Sequence, residues 1–170
     1  MSDNELRELV ASLAIAQKKT DEQLRRTDLK LDKIAKMVGG ISNNQGDIAE
    51  EFFYNSLASN PQLNGVKYDF IDKNLTRSTK KLRDEYDIIL INGKDIGIIE
   101  VKYKAHTRDV ERLLGKKYEN FKKLFPEYKD YKHHLGIASF YINDDVMSFA
   151  LDNGVMVLQR KGDLIETILP

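Results

Sequence analysis

The chain contains no cysteine among its 170 residues, and this absence limits its chemistry. Disulfides and thiolate metal sites are excluded, so any metal must be held by oxygen or imidazole ligands. The lack of cysteine also suits a reducing compartment, and we expect the protein to act in the cytoplasm.

Long apolar runs and an excess of either charge are missing as well. No segment reaches the roughly 18 consecutive apolar residues of a membrane span, and the N-terminus is too polar for a secretory signal. We therefore expect no membrane association. The formal net charge is zero, with 27 basic and 27 acidic residues. Any nucleic-acid contact must then come from a local basic face.

What is present is enough for a folded domain with an extension. Apolar residues make up 41% of the chain, which supports a core, and the length fits one domain of ordinary size plus an added segment. We divide the chain into a coiled-coil oligomerisation helix at residues 1–41 and a globular domain at residues 42–170.

Residues 1–41 carry apolar side chains in a seven-residue repeat. The repeat has two rows that alternate by three and four residues, as the a and d positions of a coiled coil do. One row is Leu6, Leu13, Thr20, Thr27, Ile34 and Ile41, and the other is Val10, Gln17, Leu24, Leu31 and Val38. Because an isolated helix gains most of its stability from packing, the repeat predicts homo-oligomerisation. The alternatives are a stripe that packs on the chain's own globular domain, or partial disorder.

Gly39-Gly40 is predicted to end this first helix or to form a hinge in it. A second helix is predicted from Ile48 to Leu57, after several candidate N-cap residues at 42–47.

The stretch from Tyr86 to Lys104 predicts a β-hairpin. Two apolar runs flank Gly93-Lys94, which fits a two-residue type II′ turn with glycine in the first position. In this register Ile91 faces Ile96, so apolar residues pair with each other beside the turn.

This register collects charged side chains on one face of the hairpin. Asp87 falls opposite Glu100, and Lys102 lies on the same face because side chains alternate along a strand. Like charges directly opposite each other destabilise a strand pair. A divalent cation would turn this repulsion into coordination, since Mg²⁺ is held by one or two carboxylates together with phosphate oxygens.

A type I′ turn at Asn92-Gly93 is the competing arrangement of the hairpin. It would pair Ile91 with Lys94 and set Asp87 opposite Ile98. The two carboxylates would then not face each other.

Asp87 followed by Glu100-Val101-Lys102 resembles the D…(D/E)-x-K signature of the PD-(D/E)XK nuclease superfamily, although Tyr86 stands where proline is usual. The resemblance covers residues 44–160 and implies a restriction-endonuclease-like α/β core, with a mixed central sheet flanked by helices. It implies Mg²⁺ or Mn²⁺ held by Asp87, Glu100 and the Val101 carbonyl. Lys102 would orient the attacking water or stabilise the charge of the transition state.

The arrangement Gly46-x-x-Ala49-Glu50 is similar to the first helix of the resolvase branch of this superfamily. The similarity implies that Glu50 leans over the active site and helps to hold the metal or its water. Glu51 takes this role if the helix is rotated. Acidic residues in a first helical turn are also favoured by the helix dipole alone.

The rest of the chain is predicted to support the hairpin. In chain order we predict a strand at Val66–Phe70, a polar basic loop at 72–84, a helix at 107–124, a strand at Leu135–Ile142, a short helix at 144–151, a strand at Val155–Leu158 and, at 164–169, a last strand or a helix end. From Lys102 to His134 there are ten Lys and Arg residues and five acidic ones, a local excess of five. This segment is where we expect contacts with a phosphate backbone.

The sequence thus predicts a metal-dependent nuclease that acts on nucleic acid, with DNA as the expected substrate. Oligomerisation through the coil would place two or more active sites for paired cuts. One alternative is a non-catalytic, oligomeric nucleic-acid-binding or scaffold protein that needs no metal. Another is a purely structural role, with Glu100 and Lys102 forming surface ion pairs on an edge strand.

Overall fold

The computed structural model of the chain describes residues 2–170, apart from the side chain of Ser42. These residues form two units, Met1–Asn44 and Gln45–Pro170. Within the described part of the chain, no helix is both long enough and apolar enough to cross a lipid bilayer.

Helix α1 extends from Asp3 to Ser59. The predicted helix end at Gly39-Gly40 and the separate helix beginning at Ile48 are therefore wrong, whereas a hinge at Gly39-Gly40 stays a prediction. Glycine in a helix interior costs only about 1 kcal/mol relative to alanine, which neighbouring turns can offset. Proline is the residue that would break the helix, and none occurs before Pro61.

In the unit Met1–Asn44 the heptad rows carry exposed apolar side chains. Leu24 and Leu31, for example, are 59% and 58% exposed. The single chain therefore leaves these rows accessible, and the coiled coil stays a prediction.

The unit Gln45–Pro170 is built on a six-stranded mixed sheet. Its strands are β3 (Phe70–Ser78), β4 (Arg83–Ile91), β5 (Asp95–Lys104), β6 (Lys132–Tyr141), β7 (Val155–Lys161) and β8 (Leu164–Ile168), in that spatial order. The pairs β5–β6 and β6–β7 are parallel and the other pairs are antiparallel. Of the two alternatives for the last segment, the strand is correct.

Helices cover both faces of this sheet. The C-terminal part of α1 packs on one face, where Ala49, Phe53 and Leu57 are buried against side chains of β4 and β5. The other face is covered by α2 (Thr107–Arg112), a π-helical turn (Leu113–Lys117), α3 (Tyr118–Leu124), a 3-10 turn (Pro126–Tyr128) and α4 (Asp144–Asp152). The predicted α/β class, a mixed central sheet flanked by helices after a long N-terminal helix, is confirmed.

Most of the segment predicted as a loop at 72–84 is instead part of the sheet, and only residues 79–82 connect two strands. β3 continues to Ser78 and pairs with β4 as far as Arg83. Because β3 is an edge strand, most of its side chains are exposed and polar residues are tolerated there. The predicted strand Val66–Phe70 is also wrong as drawn. Val66–Lys67 is a short strand, β2, that pairs with β1 (Gln62–Leu63), and β3 begins only at Phe70.

The register of the β4–β5 hairpin is the one that the apolar pairing predicts. Ile91 pairs with Ile96, and the ladder continues to Ile88 opposite Ile99. The competing register at Asn92-Gly93 is excluded by this pairing.

The turn of the hairpin differs from the predicted type. Gly93 does not have the positive φ that a type II′ turn requires of its first central residue. The Asn92 side chain closes the turn instead: its Oδ1 accepts hydrogen bonds from the backbone N–H groups of Lys94 (2.7 Å) and Asp95 (2.6 Å). Its Nδ2 donates to the Lys67 carbonyl at 2.8 Å. Asn and Asp side chains form such local bonds readily, so glycine is not needed here.

Gly136 of β6 is the position where the core has no room for a side chain. A Cβ there would lie 2.6 Å from Ile99 Cδ1 and 2.9 Å from Met156 Cγ. We predict that Gly136→Ala lowers the free energy of unfolding by about 1–3 kcal/mol, as overpacking does, measured by urea denaturation.

Gly93→Ala is the matched control, because a Cβ at Gly93 meets nothing within 4 Å. We expect a change within about 0.5 kcal/mol, as for other surface substitutions. Equal losses in the two variants would contradict both the packing at Gly136 and the turn described for Gly93.

Candidate active site

The candidate site begins where the β4–β5 ladder ends. The last paired residues are Ile88 and Ile99, and Asp87 is the next residue of β4 on the side away from the turn. Asp87 Oδ2 accepts a hydrogen bond from the Val101 backbone N–H at 2.7 Å. The Asp87 carboxylate thus accepts the hydrogen bond that a backbone carbonyl would accept in a regular ladder. This bond holds the Asp87 side chain against β5.

At Asp87 the side chains of β4 switch from one side of the sheet to the other. Ile88 is buried in the layer under α1, whereas Tyr86 is buried under α3, with its ring 5.4 Å from the Phe121 ring. Residues two apart in a regular strand share a face, so the alternation is interrupted at Asp87. The neighbouring residue on β3, Asn74, has a φ of +50°, which asparagine tolerates better than most residues.

On β5 the side chains alternate as predicted. Ile99 and Val101 are buried in the layer under α1. Glu100, only 7% exposed, forms an ion pair with Lys102, whose Nζ lies 3.3 Å from Glu100 Oε1.

The electrostatics of Asp87 show that acidic groups are crowded together here. Burial, followed by the neighbouring Glu100 carboxylate, raises the pKa of Asp87 to about 7. Glu50 adds to this rise, whereas the Val101 N–H and Lys102 oppose it. The raised pKa means that ionisation of Asp87 destabilises the folded chain.

Glu50 of α1 belongs to the same cluster. It is half-buried, while the alternative residue Glu51 is exposed. Burial raises the pKa of Glu50 most, and the negative charges of Asp47, Glu85 and Glu100 raise it further. The structure therefore brings the side chains of Glu50, Asp87, Glu100 and Lys102 close enough to influence one another.

Lys117 lies in this neighbourhood, although it belongs to the basic segment that was predicted to contact a phosphate backbone. It is 6% exposed, and its Nζ lies 3.0 Å from Asp84 Oδ1 and 4.0 Å from Glu100 Oε2. It also donates a hydrogen bond to the Glu85 carbonyl. Although burial alone would raise the pKa of Asp84, hydrogen bonds from Asn120 and Lys117 lower it.

A signal for Lys117 was present in the helix pattern. Lys117 lies four residues after Leu113 and four before Phe121, so it occupies the centre of the apolar side of the predicted helix. A lysine in that position must find acidic partners when the helix packs on the sheet. The π-helical turn Leu113–Lys117 ends at this residue, and such turns are frequent at functional sites.

Two basic surfaces lie in the sequence segments that flank the site. Of the ten Lys and Arg residues from Lys102 to His134, Lys117 is buried, Lys102 is half-buried and the other eight are exposed. The tip of the β3–β4 ribbon, residues 76–83, has four basic residues and no acidic one. Arg77 is paired with Glu127, and none of the ion pairs among the described residues involves Lys80, Lys81 or Arg83.

The donor set at Asp87 and Glu100 fits a hard divalent cation. Both groups offer carboxylate oxygens, which Mg²⁺ and Mn²⁺ prefer, and their mutual repulsion would be relieved by a cation. Within the described residues no group of three or more His, Cys, Asp or Glu side chains has the spacing of a complete metal site. A cation here would therefore need further oxygen ligands, from the backbone, water or substrate phosphate.

The raised pKa of Asp87 makes stability depend on pH in a defined direction. The folded state keeps a proton on Asp87 up to about pH 7, while the unfolded chain loses it near its ordinary value of 3.8. Stability contributed by this group is therefore present at low pH and is lost as the pH rises from about 4 to about 7.

We predict that Asp87→Asn, which keeps an acceptor for the Val101 N–H, is more stable than wild type at pH 8 in EDTA. The gain should be at least about 1 kcal/mol and should shrink towards pH 4.5, measured by urea unfolding. Glu51→Gln, an exposed neighbour of Glu50, should show no such pH-dependent gain. A variant Asp87→Asn that is less stable than wild type at both pH values would contradict the crowding.

No family model matches the chain, and no curated protein matches it. Among solved structures, it is similar to Can2 from Sulfobacillus thermosulfidooxidans in complex with cyclic tetra-adenylate, with 20% identity and a TM-score of 0.46, over 66% of this chain and 31% of Can2. It is also similar to AF1548, a protein of unknown function, with 10% identity and a TM-score of 0.41, over 64% of this chain and 58% of the other. The chain thus spans less than two thirds of either structure.

Proposed function

We propose that the protein is a metal-dependent nuclease that hydrolyses phosphodiester bonds of nucleic acid, with DNA as the substrate, in the cytoplasm. The observation that supports this most is the crowding of Asp87 and Glu100 beside the Lys102 ammonium, at a place where the strand ladder opens. Carboxylates that repel each other in a partly buried site are a common basis for metal binding and catalysis. The sequence signature described above agrees with this chemistry.

In the proposed reaction, Asp87, Glu100 and the Val101 carbonyl would hold Mg²⁺ or Mn²⁺. When bound, such an ion polarises a phosphoryl oxygen and lowers the pKa of a coordinated water. Lys102, held at Glu100, orients the attacking water and stabilises the negative charge that develops on the phosphate. Glu50, whose pKa is raised by burial and by neighbouring carboxylates, would help to hold the metal or its water.

The exposed basic residues would hold the phosphate backbone of the substrate. Lys80, Lys81 and Arg83 project from the ribbon whose second strand carries Asp87. Phosphate contacts there and along the α2–α3 segment would position the nucleic acid at the site. Such contacts do not depend on the base sequence.

A non-catalytic nucleic-acid-binding protein is the competing function. The observation in its favour is that Glu100 already has an ammonium neighbour at 3.3 Å and a second at 4.0 Å, so part of its charge is balanced without metal. Calorimetric titration with Mn²⁺ separates the two functions, because only the nuclease requires a cation at Asp87 and Glu100.

We predict that Asp87→Asn, Glu100→Gln and Lys102→Ala each lower the cleavage rate of plasmid and single-stranded DNA in Mg²⁺ or Mn²⁺ by about 100-fold or more. Asp87→Asn and Glu100→Gln should also abolish Mn²⁺ binding measured by calorimetry.

Glu51→Gln is the control, because Glu51 is exposed and adjacent to a proposed site residue. It should cleave and bind Mn²⁺ as wild type does. Equal cleavage by wild type and the three site variants would reject the assignment. Nucleic-acid binding without any Mn²⁺ binding would favour the non-catalytic protein.

Homo-oligomerisation through residues 1–41 is part of the same proposal. The heptad rows put apolar side chains at a and d positions, and these side chains are exposed in the single chain. A second copy of the same helix offers the same spacing and would bury them. Two or more linked sites would then act on one nucleic acid.

The predicted contact between the helices of the coiled coil, its seam, can be tested with two leucines of similar exposure. Leu24 lies in a heptad row and is 59% exposed, whereas Leu29 lies outside both rows and is 56% exposed. We predict that Leu24→Lys shifts the mass in sedimentation equilibrium towards the 19.6 kDa monomer, because it places a charge in the seam. Leu29→Lys should leave the mass unchanged. If both variants or neither lose the oligomer, the seam is not the one described.

A further inference from the structure

A groove of about 430 Å³ lies on the α1 side of the sheet and is not used in the proposed reaction. Its lining is mainly aromatic and basic: Gln45, Ile48, Tyr103, Phe140, Tyr141, Arg160 and Gly162. The volume is within the range of about 300–1,000 Å³ that small-molecule sites occupy. Below, these residues are called the aromatic groove.

Two elements, β5 and α1, carry residues of the aromatic groove as well as residues of the proposed active site. On β5, Tyr103 directly follows Lys102 and points to the opposite face of the strand. On α1, Ile48 lies two residues before Glu50. The groove and the proposed site are therefore close to each other along both elements.

In the aromatic groove the exposed ring of Tyr141 is carried by a strand end that hydrogen bonds of Ser139 hold in place. Tyr141 is 58% exposed, and its ring lies 5.4 Å from that of Tyr103. The two strand ends that carry these tyrosines are tied together by the buried Ser139, whose Oγ donates to the Tyr141 carbonyl at 2.8 Å and accepts from the Ala105 N–H at 3.0 Å. The ring of Tyr141 is thus presented at the C-terminal end of the central strand β6, where these hydrogen bonds hold the backbone.

The charge of the groove favours an anionic ligand. The Arg160 guanidinium lies 5.0 Å from the Phe140 ring and 5.2 Å from the Phe52 ring, and its Nε donates to the Gly162 carbonyl. No acidic side chain is among the residues that line the groove. A ligand with a flat π-face and a negative charge would satisfy both Tyr141 and Arg160.

We propose that the aromatic groove binds an unpaired nucleotide of the substrate, with its base stacked on Tyr141 and its phosphate at Arg160. A base inside a duplex is already stacked and paired, so its face is not available to a tyrosine. The substrate would therefore have a single-stranded segment on one side of the cut. This inference rests on the proposed function for the location of the cut, although the binding itself needs no metal.

The test is fluorescence anisotropy in EDTA with a labelled oligothymidylate of about 12 nucleotides and with a blunt duplex, without cleavage. We expect Tyr141→Ala to bind the single strand about 5- to 150-fold more weakly, the range found for losing one stacked base. Tyr141→Phe, which keeps the ring, should bind within about twofold of wild type. The duplex affinity should change less than twofold in either variant.

Phe70→Ala is the matched control, because Phe70 is an exposed ring (68%) that does not line the groove. It should bind both oligonucleotides as wild type does. Arg160→Gln should lower the salt dependence of single-strand binding by about 0.7 in the logarithmic slope, the value for one phosphate contact. Urea unfolding of each variant verifies that it is folded.

Wild-type affinity for the single strand in Tyr141→Ala, an equal loss for the duplex, or no single-strand binding by wild type would overturn the inference. The proposed function fails on a different result, namely cleavage that does not depend on Asp87. Asp87→Asn should therefore be run in the same anisotropy assay, where we expect it to bind the single strand at least as well as wild type.

Discussion

The arrangement of this protein depends on the repulsion between Asp87 and Glu100 where β4 and β5 part. Each carboxylate is offset by different groups of the chain. Asp87 accepts the Val101 N–H, and Glu100 faces the ammonium groups of Lys102 and Lys117. These contacts are enough to keep the pair in place, but the pKa of Asp87, raised to about 7, shows that the crowding is not fully relieved. A cluster whose negative charge is only partly balanced would attract a cation.

The rest of the fold serves to hold this pair in position. Apolar pairs from Ile88–Ile99 to Ile91–Ile96 fix the hairpin between two helical layers, so that its open end carries the carboxylates. The change of faces at Asp87 then directs the β3–β4 ribbon towards α3, where Tyr86 packs on Phe121. The same helical segment supplies Lys117, so the layer that supports the ribbon also supplies an ammonium group beside Glu100.

Much of this arrangement could be predicted from sequence because it follows from local pairing. The register of the hairpin follows from matching isoleucines beside the turn, and Glu100 and Lys102 share a face because strands alternate. The edge strand β3 could not be read in the same way, since its exposed side chains are as polar as those of a loop. The helix end predicted at Gly39-Gly40 is absent because glycine permits a break in a helix but does not require one. The burial of Lys117 follows from its position on the apolar side of the helix, which a count of charges along the segment does not reveal.

The closure of the hairpin turn by Asn92 has a consequence for how inactive variants should be interpreted. The side chain bonds to Lys94, Asp95 and Lys67, and so holds the strands in register at the end opposite to the carboxylates. A shift of one residue would turn every side chain of one strand to the other face and would separate Asp87 from Glu100. At about 3.3 Å per residue, Asn92 lies on the order of 17 Å along the strand from Asp87. Substitutions at Asn92 would therefore disturb the pairing of Asp87 with Glu100 from the opposite end of the hairpin, without touching either carboxylate.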